Sequence, residues 1–80
     1  MSGVRVQQAL LEAVKAALPE AAVELRAASP GHFALRVTAE AFRGKSRVVQ
    51  HQLVYAAIAH LMSGDAPPVH AVDRLECRTP

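Results

Sequence analysis

Eighty residues with a formal net charge of +2 and an apolar share of 51% describe one small packed domain, spanning 1–80, not a disordered or low-complexity chain. Such a weak positive charge, despite a pI near 9.2, is less than a dedicated duplex-DNA binder carries. A single cysteine, Cys77, excludes an internal disulfide and points to a reducing, cytoplasmic setting. No stretch approaches the roughly 18 apolar residues of a membrane span, and nothing at the N-terminus reads as a signal peptide.

The first element is an amphipathic helix over residues 4–18. Val6, Leu10, Val14 and Leu18 recur at helical spacing, with Glu12 and Lys15 outside the stripe. Pro19 ends it, because the residue before a proline avoids the helical region. AAVELRA, residues 21–27, sets Val23 and Leu25 against Glu24 and Arg26 and predicts a strand. SPG, residues 29–31, is a turn, and HFALRVT, residues 32–38, alternates again around Phe33, Leu35 and Val37. A link this short makes the two strands antiparallel.

AEAFRGKS, residues 39–46, is a turn with room for one helical turn. From Arg47 the period becomes helical: Leu53, Val54, Ala57, Ile58 and Leu61 form the apolar stripe, begun by Val49 or Gln50. Ser46 is placed to cap this helix and Gly64 to end it. Pro67 and Pro68 forbid continuation. VHAVDRLECR, residues 69–78, then reads as a third strand that Asp73 interrupts.

The order is α-β-β-α-β, an α+β domain with a three-stranded mixed sheet. A strand–helix–strand crossover makes strands two and three parallel. Both then begin at the same end of the sheet, so His32 and His70, which open them, are expected at one edge of the molecule.

The stretch FRGKSRVVQHQLVY, residues 42–55, carries Phe42, Gly44, Ser46, His51, Val54 and Tyr55. On these positions the chain resembles the BolA-like proteins, whose signature is a Phe-x-Gly-x-Ser turn and a helix bearing His and Val-Tyr. Gly31-His32-Phe33, His70-Ala71 and Thr79-Pro80 extend the resemblance over nearly the whole chain. It implies a type II KH-like fold. It also implies a monothiol glutaredoxin, with its glutathione, as partner, and a [2Fe–2S] cluster shared with that partner and absent from the chain alone. Some members also bind DNA as transcriptional regulators. By this resemblance His70 is a cluster ligand, and His32 is the candidate for the second. Gln50-His51-Gln52 departs from the family's Arg-His-Arg, Ser29 stands where short-loop members have Cys, and the chain ends at Pro80 where the pattern often continues.

The remaining chemistry is sparse. The seven acids are scattered, none pairs with a His at a catalytic spacing, and no enzyme is expected. Cys77 reads as a strand residue and His60 as a solvated one. His51 and Tyr55, one turn apart, are expected to cap the core side of their helix. The alternative to an adaptor is a nucleic-acid-binding regulator that uses Arg43, Gly44, Lys45 and Arg47 at a helix N-terminus, where backbone amides attract phosphate. That loop lacks the second Gly of a KH grip, and both Phe residues look buried, which removes a stacking platform.

Overall fold

The computed structural model describes residues 3–80 of the chain. Helix α1, Gly3–Ala17, leads to strands β1, Ala22–Ser29, and β2, His32–Thr38. A 3-10 turn, Glu40–Phe42, precedes helix α2, Arg47–Ile58, and strand β3 covers Ala71–Arg78. The sheet runs β1-β2-β3, antiparallel between β1 and β2 and parallel between β2 and β3. The alternation of residues 22–38 and the crossover rule therefore lead to the observed sheet.

One face of the sheet is apolar because every second residue is. Phe33, Leu35 and Val37 on β2 are buried, flanked in register by Ala27, Leu25 and Val23 and by Val72, Leu75 and Cys77. The helices lay Val6, Leu10 and Val14 of α1 and Val54 and Ile58 of α2 on that face. No buried polar or charged residue interrupts the core among the described residues. Burying each of the larger side chains is worth about 1.5–3 kcal/mol, and this is the main driving force for so small a domain.

Four details differ from the sequence expectation. Helix α2 keeps α geometry only to Ile58 and tightens into a 3-10 turn, Ala59–Leu61. Gly64 adopts a positive φ of 98°, but it does so in the loop beyond that turn and not as the cap of α2. Tyr55 lies 38% exposed and so does not cap the core, because Val54 and Ile58 claim the buried side of its helix. Strand β3 begins at Ala71, two residues later than its apolar run suggests. Val69 is fully buried and donates to the Leu61 carbonyl, so it belongs to the end of the crossover.

Asp73, which breaks the alternation of β3, is a β-bulge. Val72 pairs with Phe33 and Arg74 with Ala34, leaving Asp73 as the extra residue. The apolar residues Val72 and Leu75 are three apart, and only an added residue lets both face the core.

The turn before α2 is held at both ends. Phe42, fully buried, anchors its entry. The Glu20 carboxylate accepts from the Glu40 and Ala41 amides at 2.6 and 3.3 Å and satisfies the start of the 3-10 turn. The Ser46 hydroxyl accepts from the Val49 amide at 3.2 Å, the N-cap its position predicted.

Candidate functional site

His32 opens β2 and His70 sits one residue before β3, not within it. Gly31 connects them. Its carbonyl accepts from the His70 amide at 2.8 Å and from the Ala71 amide at 3.1 Å, which starts the parallel pairing. The His70 ring packs against the Gly31 backbone so closely that a Cβ there would lie 2.7 Å from Cγ and Nδ1 of the imidazole. Gly31 also has a φ of +78°, a region that side chains other than glycine's disfavour. The Gly of Gly31-His32-Phe33 is thus required twice, by the turn and by the ring above it.

The two imidazoles meet edge to face, with ring centroids 6.2 Å apart and an interplanar angle of 83°. His70 is exposed and His32 half-buried. The bulge turns Asp73 toward His32, and Asp73 Oδ1 lies 3.0 Å from His32 Nδ1. An ionised carboxylate only accepts hydrogen bonds, so Nδ1 carries the proton and the Nε2 of the neutral ring keeps its lone pair. This carboxylate–histidine arrangement is the usual way of orienting an imidazole for a metal. Two metal–nitrogen bonds of about 2.0–2.1 Å, with the half-width of each ring, set the centroids of two ligands of one tetrahedral ion about 5 Å apart, so these rings would have to close by about 1 Å to share it. The donors fit a borderline metal or the histidine-ligated iron of a cluster. Among the described residues no group of three or more His, Cys, Asp or Glu side chains is gathered to hold a metal ion. Two imidazoles alone would leave the coordination of any metal ion held here incomplete.

Ser29 ends β1 directly across from His32. Cys77 lies far from this corner, paired with Val37 near the other end of the sheet and facing the core. Desolvation by burial pushes its thiol above the usual range, which disfavours the thiolate that iron needs.

The basic turn has a different character. Arg43 spends its guanidinium on Glu40: Nη2 donates to Oε2 at 3.0 Å and Nε to Oε1. The hydrogen bond from Arg43, helped by its charge, holds the Glu40 carboxyl below its ordinary value, and Glu40 raises Arg43 in turn. Lys45 and Arg47 are exposed beside Gly44, whose φ is +76°. Gln50 reaches back from α2 and donates to the carbonyls of Phe42 and Lys45, both at 3.1 Å. It fastens the turn where the resembled pattern places a cation.

The sequence alone does not mark Asp73 as functional. Its only signal was the break in alternation, and that becomes informative once the bulge is seen to aim it at His32.

The family model for BolA-like proteins matches residues 6–80. The chain belongs to the BolA-like family. Its fold is similar to that of BolA1 from Mus musculus, at 31% identity and a TM-score of 0.74, over 94% of this chain and 65% of the mouse one. It therefore spans slightly less than two thirds of the mouse protein. The BolA domain of SufE1 from Arabidopsis thaliana is similar at 30% identity and a TM-score of 0.74, over 100% of this chain and 96% of that one. A bol-like protein from Babesia bovis is similar at 26% identity and a TM-score of 0.70, over 91% and 83%. No match was found among curated proteins. The α+β class and the order of elements are those of BolA domains. Among the described residues no helix of this BolA-like chain is long and apolar enough to cross a membrane.

Proposed function

We propose that this BolA-like chain is a non-enzymatic cytoplasmic adaptor for a monothiol glutaredoxin. In that role it supplies His70, with His32 as the second ligand, to a [2Fe–2S] cluster bridging the two proteins, in iron–sulfur trafficking or iron homeostasis. The observation that carries the reading is the paired imidazoles, 6.2 Å apart, with His32 oriented by Asp73. His70, exposed and backed by Gly31, presents its ring outward. The bound cluster would supply an electron-accepting iron–sulfur unit that can be handed on. The chain's own part is to hold two neutral imidazoles at a solvent edge and to leave the remaining coordination to the partner's thiolates.

The test mixes the protein anaerobically with a monothiol glutaredoxin, glutathione, iron and sulfide. Wild type should change the visible absorption and circular dichroism of the glutaredoxin-bound cluster, and His70→Ala should abolish most of that change. Identical spectra with wild type, His70→Ala and no added protein would sink the reading. A tight complex whose spectrum ignores His70 would reduce the chain to a docking module.

A further inference from the structure

The outer face of the sheet carries charge in rows. Glu24, Arg36 and Glu76 stand side by side across β1, β2 and β3. Arg36 bonds both acids, Nη1 to Glu24 at 3.0 Å and Nε to Glu76 at 3.1 Å, so this row is internally satisfied. The next row is Arg26, Ala34 and Arg74. Here two guanidiniums flank a methyl floor with no acid between them. Arg26 makes no ion pair among the described residues. Arg74 reaches Glu76 at 3.3 Å, but the same carboxylate also serves Arg36 and Arg78. Four arginines on this face thus meet two glutamates. Together the two rows line a shallow depression of about 450 Å³.

We infer that this depression is a docking site for the acidic side chains of an extended segment of a protein partner, with Arg26 and Arg74 gripping one carboxylate over Ala34. Guanidinium forks match carboxylates in geometry as well as charge. Arg78 lies four residues beyond Arg74 on the same face, about 13 Å along the strand, and offers a second grip. Between them Glu24 and Glu76 repel a negative group. The fitting segment therefore has acids four positions apart with neutral residues between. A nucleic-acid backbone fits less well, because its continuous charge would cross both glutamates and this face offers no Phe, Tyr or Trp ring for a base. The inference stands apart from the cluster reading, since it uses none of the histidine ligands.

The experiment titrates the isotope-labelled chain alone, at low salt, with a short peptide bearing two glutamates four positions apart. A glutamine version and a short oligothymidylate serve as the other arms. Saturable amide shifts centred on Arg26, Ala34 and Arg74 are expected with the acidic peptide only. Raising the salt should weaken them, as for exposed charges. Arg26→Gln breaks no ion pair of the fold and should weaken binding about two- to five-fold, the range of one exposed charge pair. Arg26→Gln with Arg74→Gln should weaken it further. The inference is overturned if no shift saturates, if the glutamine peptide acts equally, if Arg26→Gln changes nothing, or if oligothymidylate binds these rows more tightly.

Discussion

The histidine corner and the basic turn both gather polar side chains, and they are built in different ways. In the corner each polar group is fixed by a residue distant in the chain: His32 by Asp73, and His70 by the Gly31 backbone. In the turn most partners are near neighbours, Arg43 with Glu40, Gln50 with Phe42 and Lys45, and Ser46 with Val49, and Glu20 reaches in from a distance only to the Glu40 and Ala41 amides. The corner leaves His32 Nε2 and both ring nitrogens of His70 without a hydrogen-bond partner among the described residues. The turn consumes its donors in fastening itself and commits one of its three cations to a glutamate. Local density of charge therefore marks a structural device here, and the reactive groups are brought together by topology.

The comparison breaks most severely at Phe42. It is fully buried and is the one large side chain that ties the turn to the core. Phe42→Ala should cost about 3–5 kcal/mol through lost contacts and a cavity. Total stability for such domains is about 5–15 kcal/mol, so much of the margin would go. Urea unfolding should show a large fall in midpoint. A loss below about 1 kcal/mol would mean the turn is not anchored as described.

A sharper test uses two glycines with nearly equal φ. Gly31 and Gly44 have φ of 78° and 76°. A Cβ on Gly44 meets nothing within 4 Å, whereas a Cβ on Gly31 strikes the His70 ring at 2.7 Å. Gly44→Ala should cost only the left-handed strain, about 1–2 kcal/mol. Gly31→Ala should cost that and displace the imidazole. NMR shifts of the His70 ring should move strongly in Gly31→Ala and stay fixed in Gly44→Ala. Equal behaviour in both variants would show that the ring does not rest on Gly31.

The same contrast explains what the sequence made legible. Helices and strands declared themselves where one face is buried, because period 3.6 or period 2 then has to persist, as in Val6–Leu10–Val14 and Phe33–Leu35–Val37. The nearness of His32 and His70 followed from a topological rule alone, that a helical crossover returns parallel. The start of β3 was misplaced because Val69 is apolar for a reason other than strand pairing: it plugs the core after α2. The role of Asp73 was hidden because a bulge looks like noise in an alternating pattern until its partner strand is known. The commitment of Arg43 to Glu40 was also missed, since a three-residue separation links them only after the 3-10 turn has set the geometry.

The smallest expected effect lies in that ion pair and depends on pH. The Glu40 carboxyl is held below its ordinary value, first by the hydrogen bond from Arg43 and then by its charge. A depressed carboxylate binds fewer protons in the folded state than in the unfolded one, so it favours folding wherever the unfolded group would be ionised. Its contribution is present above the ordinary carboxylate value of 4.5 and disappears as pH falls through the lower folded value. Both partners are solvent-exposed, so the effect is small and weakens with salt. Glu76, lowered by Arg36 first, acts in the same direction and window. Glu40→Gln should therefore leave unfolding at neutral pH nearly unchanged and make the acid limb of the stability curve slightly shallower. A steeper acid limb in Glu40→Gln would reverse the sign and show that the pair does not form in solution. The turn would then hold a third free cation beside Lys45 and Arg47, and its difference from the corner would narrow.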